Sequence, residues 1–181
     1  MIRAILAVDE NNGLGKNGRM AWHFPEDFKY FKEYTTGSVC LMGRTTYEDI
    51  ASHKKNPSGE LLPNRPAIVL TRDNIPHHQK ECLYENVTFS EGGIGFINLL
   101  HLVGKNDQYE VSVVGGKQVY DMCFEHGLIS EVSITRVSGN YDCDVVAPID
   151  KWLENFELSE TEELSKNCNV EIYKRRSDES Q

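Results

Sequence analysis

The 181-residue sequence lacks closely spaced cysteines, an excess of positive charge and any long hydrophobic run. Its five cysteines are odd in number and scattered, and no CxxC pair occurs, so neither a zinc site nor a disulfide framework is indicated. We therefore expect no metal site, and buried free thiols in a reducing compartment. The five are Cys40, Cys82, Cys123, Cys143 and Cys168.

The charge balance is acidic, with 28 Asp and Glu residues against 19 Lys and Arg residues and a net charge of −9. This argues against a general binder of nucleic acids or anionic membranes, because both need a positive surface. The apolar run near the N-terminus is too short for a signal peptide, and no later run could span a bilayer. We therefore expect a cytoplasmic protein with no nucleic-acid or membrane partner.

Short apolar runs alternate with segments of helical period, which predicts an α/β fold. The expected architecture is an open, mostly parallel central sheet with helices on both faces and an antiparallel C-terminal edge. A chain of this length predicts a single domain, 1–175, followed by a frayed polar tail, 176–181. Strands are predicted at 2–8, 39–42, 67–71, 87–89, 111–114, 131–137, 156–161 and 169–174. Helices are predicted at 25–35, 47–51, 95–103 and 117–124, and loops at 9–19, 52–64 and 75–79.

Two glycine motifs follow predicted strands. Residues 13–18 spell GLGKNG, a literal GxGxxG, but the next helix starts only near Pro25, so no helix N-terminus follows to receive a pyrophosphate. We interpret 9–19 as a mobile flap with glycine joints. Gly115 and Gly116 do lie at a strand-to-helix junction and suit a pyrophosphate, although a tight turn without a ligand is the alternative.

The segment 43–46 (GRTT) is a second candidate phosphate seat, because it leads from a strand into a helix. It offers backbone N–H groups, two hydroxyls and a guanidinium. The alternative is that Thr45 or Thr46 only caps the helix.

Asp27 is the candidate catalytic acid. It lies in the first turn of the helix that begins at Pro25, beside Phe24, Phe28 and Phe31, which share one helical face. An acid against an aromatic wall is poorly solvated and can be tuned for chemistry. The alternative is that Asp27 only complements the helix dipole.

The order and spacing of these motifs resemble those of the dihydrofolate reductase family over nearly the whole chain. The stretches that carry the resemblance are Leu14-Gly15-Lys16-Asn17-Gly18, Met20-x-Trp22, Asp27-Phe28 with Phe31, Met42-Gly43-Arg44-x-Thr46, Pro63-Asn64-Arg65, Leu70-Thr71-Arg72, Val114-Gly115-Gly116-x-x-Val119-Tyr120, Thr135-Arg136 and Cys143-Asp144.

The resemblance implies reduction of 7,8-dihydrofolate to tetrahydrofolate by hydride transfer from NADPH to C6, with protonation at N5. It implies that Asp27 binds the pteridine edge and promotes that protonation, while Thr135 orients Asp27. Trp22 would hold a water near the acid, and Met20 would lead the flap that closes over the nicotinamide. It also implies that antifolates inhibit the protein, and we expect a monomer.

The resemblance implies two further sets of binding residues. Arg65 would bind the glutamate α-carboxylate of the substrate, while Arg44 and Arg72, with Thr71, would bind the cofactor's 2′-phosphate. Thr46 and the Gly115–Gly116 helix start would bind the pyrophosphate, across a peptide bond that is cis in this family. The implied substrate-binding residues are Ile5, Leu6, Ala7, Asp27, Phe28, Phe31, Ile50, Leu62, Arg65, Val114, Tyr120 and Thr135. The implied cofactor-binding residues are Ala7, Leu14, Gly15, Asn17, Gly18, Met20, Gly43, Arg44, Thr45, Thr46, Leu70, Thr71, Arg72, Val114, Gly115, Gly116, Lys117, Gln118, Val119 and Tyr120.

Three features depart from the family pattern. Ala21 replaces a common proline before Trp22, Asp49 replaces a small neutral residue, and the loop 52–62 is longer than in compact members. Two alternatives remain open at this point: a pyrimidine reductase of riboflavin synthesis on the same scaffold, and a non-catalytic structural or binding relative. Asp27, Trp22 and Arg65 favour folate over the first, and the retained acid and glycines argue against the second.

Overall fold

The computed structural model describes residues 1–54, 59–106 and 108–177. An eight-stranded sheet runs through the molecule in the order β5-β4-β3-β6-β1-β7-β10-β9, and a two-stranded sheet pairs β2 with β8. All neighbouring strands of the large sheet are parallel except around β10, which is antiparallel to β7 and β9. The strands are β1 (Ile2–Val8), β2 (Gly13–Gly15), β3 (Val39–Gly43), β4 (Ala67–Leu70), β5 (Val87–Ser90), β6 (Val111–Gly115), β7 (Glu131–Val137), β8 (Val145–Val146), β9 (Phe156–Ser165) and β10 (Cys168–Arg175).

Within the described residues, six helices connect the strands. They are α1 (Pro25–Thr35), α2 (Arg44–Ser52), α3 (Ile75–Glu81), α4 (Ile94–Gly104), α5 (Lys117–Glu125) and α6 (Ile149–Trp152). Pro25 begins α1, where its missing N–H costs no hydrogen bond, and Gly37 with φ +84° follows its end. None of these helices is both long enough and apolar enough to cross a membrane.

The core divides along the two faces of the sheet. One cluster packs β1, β6 and β7 against α4, α5 and α6, with Leu41, Val113 and Ile134 fully buried. A second packs β3 and β4 under α2 and around Leu61. Runs such as Ile2–Val8 are apolar almost throughout because helices cover both faces of a parallel sheet. The predicted α/β fold, with its mostly parallel sheet and antiparallel C-terminal edge, is therefore confirmed.

Four local predictions were wrong or incomplete. Residues 75–81 form α3 rather than a loop, because Pro76 can occupy the first turn of a helix and a left-handed Asn74 precedes it. Helix α2 begins at Arg44 instead of Tyr47. The predicted loop 9–19 contains β2, which pairs with β8. The sequence of α4 predicts Leu99 on one side with Phe96, Leu100 and Val103, but Leu99 is 52% exposed whereas Leu100 is buried.

The five cysteines are free thiols, of which Cys40, Cys123 and Cys168 are buried and the other two are partly buried. Part of the predicted long loop, 55–58, lies outside the described residues, as does the end of the predicted tail, 178–181. At the start of that tail, the Arg176 N–H donates to the Asn155 carbonyl.

Candidate active site

The predicted ligand-binding segments meet at the carboxyl ends of the parallel strands. The strand register places Met42 opposite Gly115, Gly43 opposite Leu70 and Ala7 opposite Thr135. Because adjacent strands are about 4.8 Å apart, these pairs place the ends of β1, β3, β4, β6 and β7 along one edge. Ligands of open α/β sheets bind outside this edge.

Asp27 lies at that edge with only 6% of its surface exposed. Burial raises the pKa of its carboxyl above the ordinary value, and the nearby Glu26 carboxylate acts in the same direction. The Thr135 side chain lies close enough to Asp27 for its hydroxyl to oppose the rise without cancelling it. The acid and the hydroxyl are therefore brought together, and the carboxyl holds a proton to higher pH than a solvated Asp does.

The Trp22 indole lies beside the acid-bearing helix and is 6% exposed. Its Nε1 atom is buried without a hydrogen-bond partner among the described residues. A buried indole N–H normally has a partner, so this atom suits an acceptor supplied by a water or ligand. On the other side, the Trp22 ring packs against Tyr141, with ring centroids 5.4 Å apart.

The residues proposed for the apolar side of the cleft come from β1, α1, α2 and the segment between α2 and β4. Ile5, Leu6 and Leu62 are buried, while Phe31 and Ile50 are partly exposed. Phe28 is 40% exposed and does not face the core. The aromatic face predicted for α1 is therefore not its most buried side: the buried residues of the helix are Asp27 and Thr35.

Arg65 is 4% exposed and fixed by the chain around it. Its Nε donates to the Pro63 carbonyl at 3.1 Å and its Nη1 to Thr35 Oγ1 at 3.1 Å, while its guanidinium carbon lies 5.9 Å from the Phe31 ring centre. Burial lowers its pKa from the ordinary value, yet an arginine stays charged in proteins. A buried, oriented guanidinium at the end of the apolar wall can bind a carboxylate.

Tyr120 connects α5 to the central strand. It is 4% exposed, and its hydroxyl donates to the Ile5 carbonyl at 2.6 Å. Burial raises its pKa far above the ordinary value for a tyrosine. The phenol is thus a neutral hydrogen-bond donor that fixes the end of β1 close to the acid.

The N-termini of α2 and α5 lie next to each other, because these helices follow the neighbouring strands β3 and β6. Gly43 and Gly116 occupy their N-cap positions, and neither helix has a side-chain cap. Gly115, at φ +120°, approaches so closely that a Cβ atom there would lie 3.2 Å from Thr46 Oγ1. The Gly115–Gly116 bond is cis, as the resemblance implied. Uncapped N–H groups beside a hydroxyl form a cradle for a pyrophosphate, so these residues fit a dinucleotide.

The predicted flap contacts the first turn of α2. A Cβ atom placed on Gly18 would lie 3.2 Å from Thr45 Cγ2. Leu14 packs on the core, and Met20 is 40% exposed. An open depression of about 700 Å³ is lined on the flap side by Lys16, Asn17, Arg19, Met20, Ala21 and Tyr141.

The two arginines expected to bind the 2′-phosphate form hydrogen bonds with different residues. Arg44 Nη1 donates to Asp73 at 3.0 Å, whereas Arg72 Nη2 donates to Gln118 at 3.0 Å. Thr71 is 6% exposed, and its hydroxyl also donates to Asp73. The sequence interpretation missed Asp73, because nothing in the local pattern places it against a residue 29 positions earlier.

A second missed residue is Asp9, which organises the base of the flap. It is 2% exposed and accepts hydrogen bonds from the backbone N–H groups of Asn11, Gly13 and Tyr141 at 2.8–3.0 Å. Burial alone would raise its pKa, but these hydrogen bonds hold it below the ordinary value. An Asp immediately after a strand and two to four residues before Asn and Gly was the available signal, since Asp often accepts from such N–H groups. Further along, the Asn17 N–H donates to Asp144 at 2.9 Å.

Comparisons with known proteins agree with this geometry. The sequence matches the dihydrofolate reductase family profile over residues 1–176. It is 29% identical over 150 residues to dihydrofolate reductase of Haemophilus influenzae, covering 83% of this chain and 80% of that one. It is 31% identical over 153 residues to dihydrofolate reductase HdrB of Haloferax volcanii, covering 83% and 73%.

Longer relatives and a solved structure also match. A bifunctional dihydrofolate reductase-thymidylate synthase of Paramecium tetraurelia is 28% identical over 141 residues, and the match spans only 27% of that protein. A solved dihydrofolate reductase from Enterococcus faecalis, complexed with NADP(H) and RAB-propyl, superposes with a TM-score of 0.73 at 27% identity, covering 98% of this chain and 97% of that chain.

Proposed function

The chain belongs to the dihydrofolate reductase family, and from that premise we propose that its cleft reduces 7,8-dihydrofolate to 5,6,7,8-tetrahydrofolate with NADPH. The observation that carries the proposal is Asp27, a buried carboxyl whose pKa is raised and which has the Thr135 side chain beside it. Family membership favours this interpretation over a pyrimidine reductase of riboflavin synthesis.

Asp27 is proposed to bind the pteridine edge and to favour protonation at N5. Burial keeps water from competing for the carboxyl, and the hydrogen bond from Thr135 fixes its rotamer. The unpartnered Nε1 of Trp22 supports a role in positioning a water at the same place. Met20, on the flap, is proposed to cover the reacting ring and exclude bulk water.

The substrate is proposed to extend from Asp27 along the apolar wall towards Arg65. Because Nε and Nη1 of Arg65 are already bonded to the chain, the guanidinium is oriented before a ligand arrives. Its role would be to bind the glutamate α-carboxylate. The wall residues proposed for the pteridine and benzoyl rings are Ile5, Leu6, Ala7, Phe28, Phe31, Ile50, Leu62, Val114 and Tyr120.

Bound NADPH supplies the hydride, and the protein positions it. The α2 and α5 N-termini are proposed to bind the pyrophosphate through their uncapped N–H groups and Thr46. The residues proposed to surround the dinucleotide are Ala7, Leu14, Gly15, Asn17, Gly18, Met20, Gly43, Arg44, Thr45, Thr46, Leu70, Thr71, Arg72, Val114, Gly115, Gly116, Lys117, Gln118, Val119 and Tyr120.

The test is the decrease in NADPH absorbance on adding dihydrofolate to the purified protein. A turnover that depends on both compounds supports the proposal, and a folded protein without turnover would place the chain among non-catalytic relatives. Three subsidiary proposals have tests of their own: that the protein is a monomer, that antifolates inhibit it, and that it acts in the cytoplasm. Sedimentation, inhibition curves and cell fractionation are the respective measurements.

A further inference from the structure

The Asp73 carboxylate lies where two expected phosphate-binding side chains meet. Arg44 Nη1 donates to Asp73 Oδ1 at 3.0 Å, and Thr71 Oγ1 donates to the same oxygen at 3.1 Å. His78 Nε2 lies 3.6 Å from that oxygen. The hydrogen bond from Thr71 is the largest influence that lowers the pKa of Asp73, and the Arg44 charge adds to it. The carboxylate is therefore negatively charged at neutral pH.

The two kinds of group found here recognise different dinucleotides. In dinucleotide sites a carboxylate accepts a hydrogen bond from the ribose 2′-hydroxyl of NAD, whereas an arginine accommodates the 2′-phosphate of NADP. This site holds both, within hydrogen-bonding distance of one another. A 2′-phosphate that reached Arg44 and Thr71 would have to displace Asp73, whereas a 2′-hydroxyl could donate to it.

We propose that Asp73 is a specificity-determining residue that competes with the 2′-phosphate for Arg44 and Thr71, so that the enzyme also uses NADH. The inference rests on the proposed function, because it takes this cleft to be the dinucleotide site. The surroundings reduce the phosphate preference further. Arg44 Nε also lies 3.5 Å from Glu48, and Arg72 is engaged by Gln118.

The expected effect is moderate because the groups are exposed: 43% of the Arg44 side chain and 68% of the Asp73 side chain are accessible. Solvent screens the repulsion between Asp73 and a phosphate dianion. We expect Asp73→Asn to increase the ratio of the NADH to the NADPH dissociation constant about tenfold. Asparagine keeps the shape and can still accept from Arg44, but it has no charge.

Glu48→Gln is the matched control. It also removes a carboxylate charge that lies beside the Arg44 guanidinium. Glu48, however, lies on the same helix as Arg44 and does not contact Thr71. We expect Glu48→Gln to change the ratio about twofold or less. Fluorescence or calorimetric titrations of both variants and the wild type with NADPH and with NADH, at two salt concentrations, provide the dissociation constants.

The outcomes separate the inference from the proposed function. The inference is supported if the ratio of the NADH to the NADPH dissociation constant rises in Asp73→Asn but not in Glu48→Gln, and if this rise is smaller at high salt. An unchanged ratio, a lower ratio or an equal rise in Glu48→Gln would overturn it, and a lower ratio would mean that Asp73 prearranges Arg44 for the phosphate. A wild-type protein that binds neither nucleotide also overturns it. Nucleotide binding without dihydrofolate reduction would overturn the proposed function alone.

Discussion

Two buried carboxyls, Asp9 and Asp27, show how the surroundings of a residue decide its role. Both are under 7% exposed, so desolvation disfavours the charged form of each. Asp9 accepts three backbone N–H groups, and its pKa falls. Asp27 has one hydroxyl partner and a neighbouring carboxylate, and its pKa rises. The first is suited to hold a loop, and the second holds a proton to higher pH than a solvated Asp does.

The first prediction concerns Asp27→Asn, which keeps the shape and removes the proton. We expect kcat/KM at neutral pH to fall by about 10²–10⁴-fold, the usual range for a general acid. The variant can use only substrate that is protonated in solution, so its rate should recover as pH falls. The measurement is kcat/KM against pH for both proteins, with circular dichroism as the folding control. Wild-type activity at neutral pH in a folded variant would show that Asp27 only complements the helix dipole.

The same substitution gives a separate prediction for stability. The raised pKa means that, above it, the wild type carries the cost of a buried charge, which Asn avoids. Asp27→Asn should therefore unfold at higher denaturant than the wild type at neutral pH. The difference should shrink as pH falls through the raised folded pKa and vanish below the unfolded value of about 3.9, where the carboxyl is neutral in both the folded and the unfolded state. Urea titrations at several pH values test this, and a variant less stable than the wild type at neutral pH would contradict it.

A prediction for Arg65 concerns substrate recognition. Arg65→Leu should increase KM for dihydrofolate about 10²-fold with a much smaller change in kcat, because two charge-assisted hydrogen bonds of about 1.5 kcal/mol each are lost away from the reacting atoms. A folate analogue without the glutamate serves as the internal control. If its KM rises equally, Arg65 supports the fold through Pro63 and Thr35 instead.

At the scale of elements, the flap base depends on the turn that Asp9 closes between β1 and β2. We expect Asp9→Asn to lower the free energy of unfolding by about 1–3 kcal/mol, since an amide accepts more weakly than a carboxylate and places an N–H₂ among N–H donors. Because the pKa of Asp9 is lowered in the folded state, its contribution is present above the unfolded value and is lost as pH falls through the folded value. The stability difference should thus disappear in acid.

Asp142→Asn is the matched control for that prediction. Asp142 lies in the same part of the structure, one residue after Tyr141, but its side chain is exposed. Asp142→Asn should lower the free energy of unfolding by no more than about 0.5 kcal/mol. Equal losses in both variants, or a difference that persists in acid, would mean that the general charge of these loops matters rather than the hydrogen bonds to Asp9.

Helices and strands with a clear pattern of apolar residues could be predicted from the sequence. Elements that exist only because they pair or pack with a distant segment could not. β1 and β7 have the predicted bounds because their apolar runs are unambiguous. Strand β2 is three residues long, two of them glycine, and exists because β8 pairs with it. Helix α3 has two histidines and no apolar repeat, so only its tertiary setting distinguishes it from a loop.

The site divides in the same way. The positions of Thr135 and the two glycines follow from strand order, because parallel strands end at one edge. Contacts between distant side chains do not follow from it. Asp73 reaches Arg44 from another loop, and Gln118 engages Arg72 from α5. Sequence patterns therefore predict which groups share the cleft but not which are already paired with one another.

At the scale of the whole molecule, the sheet must avoid pairing with other molecules at its edges. Strand β9 is the last in the order and pairs on one side only, with β10. It carries the glutamates of an acidic sequence, FELSETEELS, and its residues 157–163 are exposed. Charged side chains on an edge strand oppose association with another strand. We infer that part of the net charge of −9 acts here to keep the edge free.

The last prediction tests that role of β9. Replacing Glu157, Glu160, Glu162 and Glu163 by Gln should produce concentration-dependent self-association in sedimentation velocity, because an uncharged ten-residue edge can pair with its copy. The matched control replaces Glu33, Glu81, Glu85 and Glu91, which are exposed on helices and loops, and it makes the same change in net charge. It should stay at the sedimentation coefficient of the wild type. Equal association in both variants would show that net charge alone keeps the molecules apart, whereas association of neither would show that the twist of the edge suffices without its charges.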